Sequence, residues 1–121
     1  MSKWSEVSIL QKIDNPTAEA YEIKIHAPEI TFIGAEAQPD FAVANIIFYP
    51  GQSVIELKSL KQYLFQFRDT RISYERIINT IYDDLIDIYS PKRIRLVMEF
   101  NVRGGITSKL TIDSDWKVRG G

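Results

Sequence analysis

Apolar and polar residues alternate along Tyr21-Glu22-Ile23-Lys24-Ile25-His26, the period-two pattern of a strand with one buried face. Pro28 predicts an interruption, after which Ile30-Thr31-Phe32-Ile33 resumes an extended pattern. Phe41 to Tyr49 is apolar at almost every position, which predicts a strand covered on both faces. Pro50-Gly51 marks a turn, and Val54-Ile55 is expected to begin the return strand. From Ser59 onward the period changes. Leu60, Leu64 and Phe67 recur at helical spacing, and a longer helix follows with Ser73 as its N-cap. Tyr74, Ile77, Ile78, Ile81, Leu85 and Ile88 form its apolar face, with Arg76, Asn79, Asp83, Asp84 and Asp87 expected on the other. Ser90-Pro91 ends it. Ile94, Leu96, Met98, Phe100 and Val102 alternate with polar residues, Gly104-Gly105 turns the chain, and Ser108, Leu110 and Ile112 alternate back. The stretch Val7 to Ile13 reads either as a short strand or as a loose arm before the Asn15-Pro16 turn.

The element order is hairpin, two helices, hairpin. That layout predicts an α+β domain with an antiparallel four-stranded sheet and two helices on one face, in the order ββααββ. One domain is expected over residues 1–121, with an N-terminal arm at 1–18 and a C-terminal tail at 113–121. A sheet of this size has two open edges, which predicts closure by homo-oligomerisation.

Composition narrows the chemistry. The 121 residues are 45% hydrophobic and 26% charged, which is ordinary globular composition. The net charge of -1 gives no general signal for nucleic acid. There is no cysteine, so disulfides, thiolate metal ligands and cysteine nucleophiles are excluded within this sequence. With one histidine, His26, no metal site is expected. No apolar run reaches the roughly 18 residues needed to span a bilayer, and Met1 to Glu6 lacks the layout of a secretory signal. The expectation is a cytoplasmic protein without a membrane partner.

Three segments resemble one family. Gln38-Pro39-Asp40-Phe41-Ala42, Glu56-Leu57-Lys58-Ser59-Leu60-Lys61-Gln62-Tyr63 and Arg103-Gly104-Gly105-Ile106 are similar to signatures of the 7-cyano-7-deazaguanine reductase (QueF) family. The similarity runs from about Ile30 to Ile112. It implies the tunnelling fold (T-fold), in which subunits join their sheets into a barrel and bind purine- or pterin-like rings between subunits, here as a pentamer or decamer. It also implies the family's reaction, the NADPH-dependent reduction of a nitrile to an aminomethyl group in queuosine biosynthesis, a transfer RNA modification.

Carried over residue by residue, the resemblance makes Asp40 the proton donor and Glu75 the reader of the guanine-like edge. Glu56 and Ser59 fall at substrate-binding positions, and Lys58, Lys61 and Arg103 at positions that contact NADPH. The nucleophilic cysteine falls on Ile33, and the family's Cys-Pro-x-Thr-Gly is Ile33-Gly34-Ala35-Glu36-Ala37 here. Tyr74 stands where a histidine often precedes the reader. A thioimide needs a thiolate, so the covalent route is not open to this chain.

The residues also admit plainer readings. Glu75 suits the first turn of any helix capped by a serine. Asp40 suits a turn after proline. Lys58, Lys61 and Arg68 could form a solvated helix face, Glu36 suits a loop, and His26 a surface. Three functions stay open: a pocket that runs different acid-base chemistry on a pterin or purine, a non-catalytic ligand-binding or assembly protein, and a subunit that pairs with an active cysteine-bearing paralogue.

Overall fold

The computed structural model describes residues 4–116. The elements are β1 (Lys12–Asp14), β2 (Ile23–Ile33), β3 (Pro39–Tyr49), β4 (Ser53–Ile55), α1 (Leu57–Phe65), α2 (Tyr74–Tyr89), β5 (Arg93–Phe100) and β6 (Lys109–Asp113). Four strands form one antiparallel sheet in the order β2-β3-β5-β6, and β1 pairs with β4 in a separate antiparallel ribbon. The architecture is α+β, with two helices and antiparallel sheets.

Two local expectations are corrected. Val54-Ile55 does not return against β3. It pairs with Lys12-Ile13, because the chain turns out of the main sheet after Tyr49, whose partner on β5 is Arg93. Val7 to Ile13 therefore resolves into a 3-10 turn at Val7–Ile9 followed by β1. The interruption expected at Pro28 is a bulge inside one strand. Ala27 pairs with Ala44 and Ile30 with Ala42, so Pro28 and Glu29 oppose Val43 in a bulge. A bulge on an edge strand is where a residue without an N–H is tolerated.

The second correction is Asp84, which is buried. It turns inward because the Ser5 hydroxyl (2.6 Å) and the Tyr63 hydroxyl both donate to it. Burial, followed by that hydrogen bond, pushes the Tyr63 phenol far above its ordinary value.

One face of the sheet carries the core. Ala42, Ala44, Ile46 and Phe48 of β3 and Ile94, Leu96, Met98 and Phe100 of β5 are buried, as are Ile77, Ile78, Ile81 and Leu85 of α2. The alternate residues of β3, among them Val43 and Ile47, are only partly buried. The run from Phe41 to Tyr49 is thus covered on one side within a single chain. Val102 does not continue β5 and is 61% exposed. β6 keeps Asp113, at the start of the expected tail, because Arg93 and Arg95 both pair with its carboxylate at 2.9 Å. Residues 117–121 of that tail lie outside the described residues, as do 1–3 of the arm.

α1 begins two residues before Ser59, since the Glu56 carboxylate caps it by accepting from the N–H groups of Lys58 and Ser59. α2 begins after Ser73, whose hydroxyl accepts from the Arg76 N–H. No helix among the described residues is long and apolar enough to cross a membrane.

Candidate functional site

Asp40 lies near the start of β3, with its side chain on the core face and 3% of the residue exposed. Three elements converge on it. From α2, the Tyr74 hydroxyl donates to Oδ2 at 3.1 Å. From the turn after β5, Arg103 places Nε 3.3 Å from Oδ1. From the loop after β2, Gly34 leaves room for the carboxylate, since a Cβ there would lie 2.7 Å from Oδ2. Despite the nearby guanidinium, Oδ1 accepts no hydrogen bond and is buried.

Each partner is itself fixed. Tyr74 stacks on Phe100 with ring centres 4.0 Å apart and 8° between planes, and meets Phe32 edge-on. Burial, then the hydrogen bond to Asp40, raises the Tyr74 phenol above its ordinary value, with Arg103 pulling the other way. Arg103 also donates from Nη2 to the Pro39 carbonyl at 2.6 Å. Its turn is closed by reciprocal bonds between Arg103 and Ile106 at 2.9 Å, and Gly104 and Gly105 take φ of 58° and 77°, a region open to glycine at little cost. Below the turn, Asn101 exchanges bonds with Phe41, its side-chain oxygen accepting from the Phe41 N–H.

Ile33, where the resemblance sets the nucleophile, ends β2. Its N–H donates to Thr70 O at 3.0 Å and its carbonyl accepts from Ile72 N–H at 2.9 Å. The following loop is pinned by Arg71, whose Nε donates to Ala35 O at 3.1 Å, and Ala37 sits at φ 63°. Glu36 is exposed on that loop.

Glu75 is exposed on the first turn of α2, next to Tyr74. Asn79 bonds its backbone carbonyl, and its carboxylate takes no partner among the described residues. The structure therefore brings Asp40 together with Tyr74, Arg103 and Gly34, while Ile33 pairs with Pro39 one register position away and Glu75 follows Tyr74 on the first turn of α2.

Glu56 and Ser59 stand elsewhere, at the junction of α1 with the β1–β4 ribbon. The Ser59 hydroxyl donates to Glu56 O at 2.8 Å and accepts from the Gln11 N–H at 2.9 Å. The Ser59 N–H holds the Glu56 carboxyl below its ordinary value, against a smaller opposing desolvation. Both residues have well-defined structural work in the single chain.

Lys58 and Lys61 are exposed on α1. Lys61 and Arg68 line a groove of about 410 Å³ between α1 and β2, whose apolar wall includes Leu57, Leu64 and Phe65. Two lysines and an arginine on exposed positions fit the charge of a phosphate-bearing cofactor such as NADPH. Arg103, expected to join them, is instead held by Asp40 and Pro39 on the β5–β6 turn.

His26 is exposed, with Nδ1 2.8 Å from Asn45 Oδ1. Trp4 packs partly buried against the core, with the Arg76 guanidinium over its ring. Among the described residues no three acidic or histidine side chains could hold a metal together.

The residues that sequence reasoning missed are Tyr74, read there as part of an apolar helix face, and Gly34. The available signal was a hydroxyl on that face directly before Glu75, and the smallest residue directly after Ile33.

Comparison with known proteins shows the family. The sequence model of the family described as "QueF-like protein" matches residues 39–119. The chain is 46% identical to the NADPH-dependent 7-cyano-7-deazaguanine reductase of Prochlorococcus marinus (strain MIT 9515) over 109 residues, covering 86% of this chain and 78% of the relative. It is 41% identical to the reductase of that name from Thermomicrobium roseum over 104 residues, covering 84% and 81%. Its fold is similar to the crystal structure of the apo archaeosine synthase QueF-Like, with a TM-score of 0.68 at 11% identity, covering 81% of this chain and 95% of the other. A family model matched over residues 39–119 and relatives above 40% identity lead to one conclusion: the chain belongs to the QueF-like family.

Proposed function

We propose that this protein binds a guanine-like ring, a 7-deazapurine or pterin, through Glu75 at a subunit interface, and that it does not reduce 7-cyano-7-deazaguanine by a covalent route. The observation that carries the reading is the pairing of a free, exposed carboxylate at Glu75 with an isoleucine at the nucleophile position. A carboxylate accepts two hydrogen bonds side by side, which suits the adjacent N–H and amino donors of a guanine edge. An isoleucine has no atom that can attack a nitrile. Among this chain's own groups, Glu75 would bind and orient the ring. Lys58 and Lys61 would hold NADPH phosphates as point charges, and the nicotinamide would supply a hydride when bound.

A homo-oligomer, pentameric or decameric, follows from the same reading. The sheet has free edges at β2 and β6, and Val43 and Ile47 on its uncovered face are only partly shielded, so joining sheets would cover both. A second reading, acid-base chemistry on the ring, is favoured by the Tyr74 hydroxyl resting on Asp40.

Calorimetry with guanine-like ligands tests the first reading. Wild type should bind them, and Glu75→Gln should weaken binding by at least about tenfold, since each charge-assisted bond is worth roughly 1.5–3 kcal/mol. Equal binding by both, or none by wild type, rejects it. Light scattering that finds a stable monomer at micromolar concentration rejects the assembly. No aminomethyl product should form above a control without protein, and Ile33→Cys alone should not restore full activity.

A further inference from the structure

Two arginines face one recess between the loop after β2 and the start of α2. It measures about 420 Å³ and is lined by Trp4, Ala35, Arg71, Ile72, Ser73 and Arg76. Each guanidinium is held there by a group that does not neutralise it. Arg71 donates from Nε and Nη2 to the Ala35 carbonyl, which leaves the rest of its fork unspent. A parallel bridge to Ile33 fixes its backbone. Arg76 has its guanidinium 5.5 Å from the centre of the Trp4 ring, and that contact takes up no acceptor for its N–H groups.

Charge is left over as well. Arg93, Arg95 and Arg103 each have a carboxylate partner, whereas among the described residues Arg71 and Arg76 form no ion pair. Glu36, Asp69 and Glu75 are the carboxylates closest in sequence, and none of them lines the recess. Two like charges turned toward one space repel, and an anion between them reverses the sign of that interaction. Both guanidiniums keep donors in the forked geometry that matches phosphate.

We propose that this recess binds a small phosphomonoester, a sugar phosphate, with Arg71 and Arg76 clamping the phosphate and the sugar lying against Trp4 and Ala35. The charge selects the class. A phosphomonoester carries about -1.5 to -2 near pH 7, which matches two guanidiniums, whereas each phosphate of a nucleic-acid backbone carries a single charge. The volume falls in the range of small-molecule sites, which leaves room for a sugar beside the phosphate. The Ser73 hydroxyl accepts from the Arg76 N–H and keeps its own proton to donate. This site goes beyond the ring reading and does not draw on Glu75.

Calorimetry near pH 7 at low salt tests it with ribose 5-phosphate, ribose, inorganic phosphate and O-phosphoserine. Wild type should bind ribose 5-phosphate tightest, by at least about tenfold over ribose. Arg71→Gln and Arg76→Gln keep a donor and lose the charge, so each should weaken that binding by at least about tenfold. Lys92→Ala removes an exposed cation beyond the other end of α2 and should leave it unchanged. The proposal is overturned if wild type does not bind ribose 5-phosphate, or binds ribose or inorganic phosphate as tightly. Tighter binding of O-phosphoserine overturns it in favour of a modified protein. A loss in Lys92→Ala equal to that in the arginine variants, or an arginine that proves dispensable, overturns it too. Should Arg76→Gln unsettle the arm that carries Trp4, Arg71→Gln, which leaves the indole contact in place, decides alone.

Discussion

Glu56 and Asp40 are both carboxylates of family signatures, and the fold treats them in opposite ways. Glu56 is partly exposed, yet it caps α1 by accepting from the N–H groups of Lys58 and Ser59. Asp40 is buried, with a hydroxyl on one oxygen and an unaligned cation near the other. At the first site a retained motif is explained by folding alone. At the second, folding explains the position of the group but not its unmatched oxygen. A signature residue therefore points to ligand chemistry most strongly where the single chain leaves its bonding incomplete.

The contrast can be broken at Gly34. Alanine there would press a methyl group against Asp40 Oδ2 and push the carboxylate off Tyr74. The expected loss is about 2–3 kcal/mol, from overpacking plus a lost bond, read from urea unfolding. A loss within error would show that Asp40 has room to spare and is not held.

Next in size is Ser59→Ala. It strands the Gln11 N–H, which now donates to the hydroxyl, and should cost about 1–2 kcal/mol. Faster amide exchange around Gln11 than in wild type would place that loss at the ribbon.

Asp113 is a third case, a buried carboxylate whose bonding is complete. Its bond with Arg93 comes first among the causes that lower it from 3.8 to about 2. Because the folded value is depressed, the stabilisation is present above about pH 4 and lost as pH falls through about 2. Asp113→Asn should cost about 1 kcal/mol at neutral pH, the two arginines being partly solvated. It should also flatten that part of the acid limb in unfolding midpoints measured between pH 5 and 2. The smallest effect is expected at Glu56→Gln, whose single amide oxygen can still accept from the Ser59 N–H while the charge and the exposed bond from the Lys58 N–H are lost, so its melting temperature should fall less than that of Ser59→Ala.

The sequence made the alternation of β2 and β5, the Ser73 cap and the order of elements readable, because each depends on neighbours in the chain. The meeting of Tyr74 with Asp40 was not readable from local pattern, since it joins residues 34 apart through the packing of α2 on the sheet. The interruption at Pro28 was readable, but its form as a bulge was not, since a bulge is defined by the partner strand. Asp84 was placed outward because helical spacing put it on the polar face. Its inward turn depends on Tyr63, 21 residues earlier. The resemblance sets the Ile33–Ala37 loop apart from the family pattern in the sequence, whereas the approach of Gly34 to Asp40 is visible only in the fold.

The bulge at Pro28 and Glu29 also governs what can grow on the outer edge of β2. Fibre-like addition of strands needs a long, even row of backbone donors and acceptors. Here the row is cut between Ala27 and Ile30, and one of its donors is missing altogether at the proline. A chance strand from a misfolded chain would lose its register within a few residues. In the proposed assembly a partner shaped to the same interruption would not, and the edge would then act as a keyed socket that admits a matched neighbour and starves a runaway polymer.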